Sequence, residues 1–319
     1  MMGPMTHSRP RVLVVGEALI DVVPDREGTL RDLPGGSPAN VAIALGRLER
    51  DVRLVTLLGD DARGEMIRSW LEASGVTVLD LTTGSGRTST AAVTLDASGA
   101  ASYVFDLDWE LPAVPDEECD VLHVGSIATV LEPGADAVLE AFRAHRGRAL
   151  LSLDPNARPA ITPDRTGPVD RVEELVSLAD LVKVSDEDLE WLHPDVDAVA
   201  TAARWADAGP GLVVVTRGGA GAVAVRPGGS VLEVPGVPVT VADTVGAGDT
   251  FSGVLLDSLL ALGVGGQESG AALRALTDRD VLGAVTTAAI GAAVNVSRPG
   301  ADPPSRAELT AALRAGPQG

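Results

Sequence analysis

The chain has 319 residues, 45% of them hydrophobic, enough to bury a sizeable core and incompatible with wholesale disorder. It carries 45 acidic against 25 basic side chains, a net charge of −20, and so lacks the clustered Lys and Arg that binding nucleic acid requires. A single cysteine, Cys119, excludes an intrachain disulfide and a cysteine-based zinc site. The opening MMGPMTHSRP has no signal-peptide apolar core, and no apolar run reaches the roughly 18–20 residues of a membrane span. A soluble, cytoplasmic protein is expected.

In chain order, RVLVVG (11–16) is an apolar run ending in glycine, the pattern of a strand buried on both faces. GGSPANVAIALGRLER (35–50) predicts a loop feeding a helix, with Pro38 in the first turn and Val41, Ala44, Leu45 and Leu48 at helical spacing. VRLVTLLG (52–59) predicts a strand and ARGEMIRSWLEASG (62–75) a helix closed by Gly75. TSTAAVTLDASGAASYVFD (88–106) breaks the rhythm: two short strands around the turn DASG. Such an inserted hairpin is either decoration or a lid.

The alternation then resumes with DVLHVG, a helix around 134–146, RALLSLD, a helix near 169–178, LVKVS, GLVVVTRG (211–218) and a long helix beginning near Asp249. Strands alternating with helices imply an α/β fold with a doubly wound, mainly parallel sheet. Nothing divides the chain, so one domain over 1–319 is expected, with a lid insertion at about 88–110.

Missing motifs narrow the chemistry. There is no G-x-x-x-x-G-K-[ST], and the only lysine, Lys183, lies in an expected strand with no glycine-rich loop before it. No G-x-G-x-x-G follows the first strand, no H-E-x-x-H is present, and no G-x-S-x-G occurs. DTVGAGDTFSG (243–253) remains. Its glycines let the backbone present consecutive N–H groups to an oxyanion, and a helix starting near Asp249 adds its positive dipole end. Asp249 would then stand beside an attacking hydroxyl, close enough to take its proton. The competing reading makes Asp249 a helix N-cap.

DTVGAGDTFSGVLL (243–256) resembles the second signature of the ribokinase-like, or PfkB, sugar-kinase family, and GGSPANVAIALGRLERDVRLVTLLGDD (35–61) resembles the first. The likeness runs from Gly16 to about Arg306. It implies ATP-dependent phosphorylation of a sugar hydroxyl, with Asp249 as general base and the amides of Gly246, Ala247, Gly248 and Asp249 as anion hole.

GEALID (16–21) is similar to the fructokinase branch, which would place Asp21 on sugar hydroxyls; Gly35, Gly36 and Asn40 match the sugar-contacting part of the first signature. DPNAR (154–158) resembles D-P-N-x-R, setting Asn156 and Arg158 toward substrate or phosphate. TRGGAG (216–221) resembles T-x-G-x-x-G, setting Thr216, Gly218 and Gly221 near the nucleotide phosphates. VNVSRPGADPPS (294–305) is similar to the loop beside adenine and a monovalent cation such as K⁺. The ion would be held by Asp243 and the carbonyls of Val245, Asn295, Arg298 and Gly300.

One motif departs from the pattern. The family's N-x-x-E, linked to Mg²⁺ and phosphate, is Ser185-Asp186-Glu187-Asp188 here. Ser185 replaces Asn on the nucleotide side, and Asp188 is one methylene shorter than Glu. Either Asp188 reaches Mg²⁺ through a water or Glu187 substitutes.

The expectation is a fructokinase-like enzyme using ATP with Mg²⁺, possessing a lid through which two copies could pair, and binding neither nucleic acid nor membrane. Ribose or 2-keto-3-deoxygluconate as acceptor, or a non-catalytic sugar-binding protein on this scaffold, are the alternatives.

Overall fold

Short apolar runs punctuated by glycine become strands, and the amphipathic stretches between them helices, in a computed structural model that describes residues 9–24, 28–83, 86–95 and 101–316. Strands β1 (Arg11–Val15), β2 (Leu19–Pro24) and β3 (Leu30–Gly35) precede helix α1 (Ser37–Arg47). Next come β4 (Asp51–Thr56), α2 (Ala62–Ala73), β5 (Val76–Asp80) and the pair β6 (Thr90–Leu95) and β7 (Ala101–Asp106). The middle of the chain supplies β8 (Val121–Gly125), α3 (Gly134–His145), β9 (Leu150–Asp154), α4 (Thr166–Leu178) and β10 (Leu181–Ser185). It continues with α5 (Asp186–Leu192), α6 (Ala198–Ala208), β11 (Leu212–Thr216), β12 (Ala222–Arg226) and β13 (Ser230–Val234). Helices α7 (Ala247–Ala261), α8 (Ser269–Ala275), α9 (Asp278–Val296) and α10 (Arg306–Ala315) follow.

Nine strands form one sheet in the order β13-β12-β11-β10-β9-β8-β1-β4-β5, parallel throughout except for the antiparallel β12 and β13 at one edge. In β1, Val12 and Val14 face one apolar cluster and Leu13 and Val15 the other, as the two-residue strand period requires. The first cluster takes α1, α2 and α7–α10; the second takes α3–α6. From β1 the chain winds outward one way through β4 and β5, and later the other way from β8. The β1–β8 junction is therefore the switch point, where open α/β sheets place their ligands beyond the strand ends.

The expected doubly wound sheet is present, and the structure beside it is larger than the hairpin the sequence suggested. β6 and β7 form the hairpin, but β2 and β3 join them in a separate four-stranded sheet, order β3-β2-β6-β7, with β2 and β6 parallel. The DASG turn lies outside the described residues, as do the first eight. The segment expected as a late loop begins in helix, since Asn295 belongs to the last turn of α9. Among the described residues no helix is long and apolar enough to cross a membrane.

Helix α7 carries a charge into this interior. Asp257 has a side chain only 5% exposed and accepts hydrogen bonds from Arg50 Nε at 2.5 Å and from Arg306 Nη1 and Nη2 at 2.7 and 2.6 Å. Arg306 also donates to the Leu48 carbonyl at 2.5 Å, so one carboxylate ties α7 to the end of α1 and the start of α10. Asp257→Ala leaves two guanidinium groups without their partner. It is expected to cost about 3 kcal/mol, read as a lower urea midpoint at unchanged slope.

Candidate active site

Asp249 lies in the first turn of α7 and is 7% exposed. It does not cap the helix: the cap position is Gly246, in the left-handed region at φ 71°, with no side-chain cap bond. A Cβ on Gly246 would approach Ala301 Cβ to 2.6 Å, so the backbone demands glycine on two counts. Both carboxylate oxygens of Asp249 instead reach across to α1. Ser37 Oγ donates to Oδ1 at 2.7 Å and Asn40 Nδ2 to Oδ2 at 2.8 Å. Asn156 Nδ2 in turn donates to Ser37 Oγ at 2.6 Å, joining the DPNAR loop to the cluster. The helix dipole alone would favour the ionised form, yet burial dominates and pushes Asp249 above its ordinary value, against the bonds from Ser37 and Asn40.

Two cavities meet at this helix start. One, of about 670 Å³, is polar and lined among others by Glu17, Asp21, Asn40, Asn156, Arg158 and Asp249. The other, of about 260 Å³, is mainly apolar and lined by Val237, Val239, Val241, Phe251 and the Ala289–Val296 face of α9. Thr216, Gly218, Thr244, Ala247 and Gly248 border both. The first-turn N–H groups of α7 have no preceding helical turn to bond. That of Ala247 is turned back to the Thr244 carbonyl at 3.2 Å, which withdraws it from the expected cradle.

Several of the sequence-derived residues border these cavities or lie beside them. Asp21, on β2, is pushed up by burial, with the Arg158 guanidinium opposing. Gly35 leaves room for that carboxylate, since a Cβ there would lie 2.4 Å from Asp21 Oδ2. Gly36, at φ 106°, caps α1 where a Cβ would meet the Glu17 carbonyl at 2.6 Å. Arg158 stands exposed at the mouth, its Nη1 donating to Asn156 Oδ1 at 2.5 Å. Thr216 ends β11, and Gly218 and Gly221 form the tight turn into β12, beside the apolar cavity.

Ser185 and Asp188 are engaged differently from expectation. They form a capping box at the start of α5: Asp188 N–H donates to Ser185 Oγ at 3.0 Å and Ser185 N–H to Asp188 Oδ2 at 3.2 Å. Asp188 Oδ1 accepts the Ala157 N–H at 2.9 Å. This carboxylate pins the DPNAR loop to α5, while Asp186, Glu187 and Asp188 all border the polar cavity.

Asp243 accepts from the Val245 N–H at 3.0 Å and the Gly300 N–H at 2.8 Å, which hold it below the usual carboxylate range. The chain thus brings 243–245 against 295–300. Asn295 Nδ2 donates to the Val245 carbonyl at 2.8 Å, and Arg298 N–H to the Asn295 carbonyl at 3.0 Å. Asn295 Oδ1 is buried with no hydrogen-bond partner. An orphaned oxygen among a carboxylate and several carbonyls is a donor set that suits a hard cation.

Sequence reasoning passed over Glu17, Ser37, Asp154 and the exposed valines 239 and 241. Glu17 stands two residues past the end of β1, Ser126 directly follows β8, and both line the polar cavity at the switch point. Burial pushes Glu17 up to about 7, against hydrogen bonding by Ser126 and the Ala128 N–H, the latter at 3.3 Å. The signal was an acid placed in GEALID just after a buried strand.

Comparison with known proteins bears on the chain as a whole. The profile of pfkB family carbohydrate kinases covers residues 9–308. A fructokinase of Rhizobium leguminosarum bv. trifolii is 37% identical over 262 residues, 78% of this chain and 79% of the relative. The crystal structure of a Xylella fastidiosa fructokinase with bound ATP superposes with a TM-score of 0.83 at 28% identity, covering 96% of this chain and 98% of that one. A double-mutant fructokinase of Vibrio cholerae O395, in a form bound to fructose, ADP and a potassium ion, superposes with a TM-score of 0.77 at 28% identity, covering 98% and 100%. With nearly the whole chain matched in sequence and in fold, this protein belongs to the pfkB family of carbohydrate kinases.

Proposed function

We propose that this ATP-dependent carbohydrate kinase phosphorylates a hydroxyl of fructose, with Asp249 as the group that accepts the hydroxyl proton. The observation that carries the reading is the placement of Asp249: a buried carboxylate at the junction of a polar and an apolar cavity, held by Ser37 and Asn40 rather than spent as a helix cap. Fructose as the acceptor is supported by the relatives' names and by GEALID and DPNAR, which set Glu17, Asp21, Asn156 and Arg158 around the polar cavity.

In this reading the sugar occupies the polar cavity and the adenine the apolar one. Asp21 and Asn40 orient the sugar, and Asp249 removes the proton as the oxygen attacks in line. The N–H groups of Gly248 and Asp249, with the dipole of α7 behind them, hold the charge on the transferring phosphoryl group. Glu187 and Asp186, which border the polar cavity, would hold Mg²⁺ arriving with ATP, which would supply neutralisation of phosphate charge. K⁺ would be held by Asp243, Asn295 Oδ1 and the carbonyls of Val245, Asn295, Arg298 and Gly300, steadying the turn that precedes α7. Pairing through the lid is supported by Leu30, Leu33 and Val104, which expose apolar side chains on its sheet.

Sugar-dependent ADP release from ATP tests the assignment and separates a kinase from a silent sugar-binding protein. Fructose is expected to show the highest kcat/KM against ribose, 2-keto-3-deoxygluconate and adenosine. Any of these exceeding it by more than about tenfold, about 1.4 kcal/mol of transition-state discrimination, overturns the choice of sugar.

Asp249→Asn keeps shape and hydrogen bonding and removes basicity. Its kcat should drop by ~10²–10⁴-fold with little change in sugar or ATP binding. In the unaltered enzyme the rate should rise with pH as Asp249 loses its proton, through an acid limb above the ordinary value of 3.8, because burial raises the folded value. A variant keeping more than about a tenth of the wild-type kcat would remove Asp249 from the chemistry.

Transfer from buffer containing only an inert organic cation into K⁺ should raise kcat, and Asp243→Asn should blunt that response. An identical rate in the two buffers would dismiss the cation site and leave the kinase assignment intact.

A further inference from the structure

The one lysine of the chain lies on no recognised motif, yet it is buried at the centre of the site. Lys183, on β10, is 6% exposed and lines the polar cavity. Its Nζ is 3.0 Å from Oδ2 of Asp154, itself 1% exposed, and Ser252 Oγ of α7 donates to the same oxygen at 3.1 Å. On its other side the ammonium meets the start of α7, where a Cβ added to Gly248 would stand 2.9 Å from Nζ.

The charge surroundings are lopsided. Asp154 on β9, Asp188 on α5 and Asp249 on α7 all act on this one ammonium and favour its charged form against burial. His123, on β8, supplies no second cation: burial, with Lys183 adding to it, pushes its ring down to about 3, and Nδ1 lies 2.9 Å from Ser152 Oγ. Arg158 is the other cation of the cavity and sits exposed at its mouth. A lysine needed only to neutralise Asp154 would not have to border the cavity or adjoin Gly248.

We propose that Lys183 is the fixed cation of the phosphoryl-transfer site. Asp154 and Ser252 hold its ammonium against Gly248, so that positive charge already stands behind the N–H groups of α7 where phosphoryl charge builds. This rests on the start of α7 being the transfer site. Preplaced charge in a water-poor site needs no reorganisation during the reaction, which is why a single group can carry a large effect on kcat.

The test uses the full chain, ATP with Mg²⁺, and fructose. Lys183→Met should lower kcat about a hundredfold, with the KM for fructose changed less than about threefold, since Asp21 and Asn40 remain. Because that variant leaves Asp154 buried without its cation, Lys183→Met combined with Asp154→Asn removes both members of the hydrogen-bonded pair. The double variant should melt close to the wild type and stay about a hundredfold slow. Recovery of kcat to within about threefold of wild type would overturn the proposal, showing that Lys183 only balances Asp154. Asp249→Asn in parallel separates the two readings. Inactive Asp249→Asn beside a fully active double variant sinks the role of Lys183 alone, whereas active Asp249→Asn sinks the site and Lys183 with it.

Discussion

A helix buried on almost every side must find a partner for each face, and α7 is such a helix. Val254, Leu255, Leu256, Leu259 and Leu260 are all buried in the cluster it shares with α1, α9 and one face of the sheet. Its approach to α1 is close, for a Cβ on Gly253 would stand 2.7 Å from Ala44 Cβ. That enclosure fixes where the first turn of α7 ends up relative to the first turn of α1. The bonds from Ser37 and Asn40 to Asp249 follow from it, so the site inherits its precision from helix packing.

The resulting cavity is rich in acidic side chains. Glu17, Asp21, Asp188 and Asp249 border it, and burial pushes all four upward. Among the described residues that border it, the cationic side chains are Lys183, which is buried, and Arg158, which is exposed. Backbone N–H groups at the start of α7 add partial positive charge without a side chain. A site built this way has most of its positive charge in rigid elements, which suits stabilisation of a transient anion.

The four-stranded sheet answers a different need. Asp21 comes from β2 of that sheet, so the small sheet contributes a polar side chain to the cavity. β2 and β3 also lead directly into Gly36 and α1, linking the small sheet to the helix that bonds Asp249. One continuous piece of chain thus lines the cavity and leads into the helix that bonds Asp249.

Much of this was written locally. The parallel sheet was readable because doubly buried strands are unbroken apolar runs and the helices between them keep a 3.6-residue period. The glycines of GAGD were readable because turns impose their own chemistry. β2 and β3 were not, since LIDVVP and LRDLPG are short, carry proline and are partly exposed, and they become strands only by pairing with each other and with β6. Whether Asp249 caps its helix or faces a cavity was equally undecidable from 243–253, because the answer is Ser37 and Asn40, more than 200 residues away in the chain. Lys183 was a lysine in a strand until the register of β9 and β10 set it beside Asp154 and the packing of α7 brought Gly248 against it. Period and turn chemistry act between near neighbours and belong to the sequence; the company a buried charge keeps is decided only when distant elements pack.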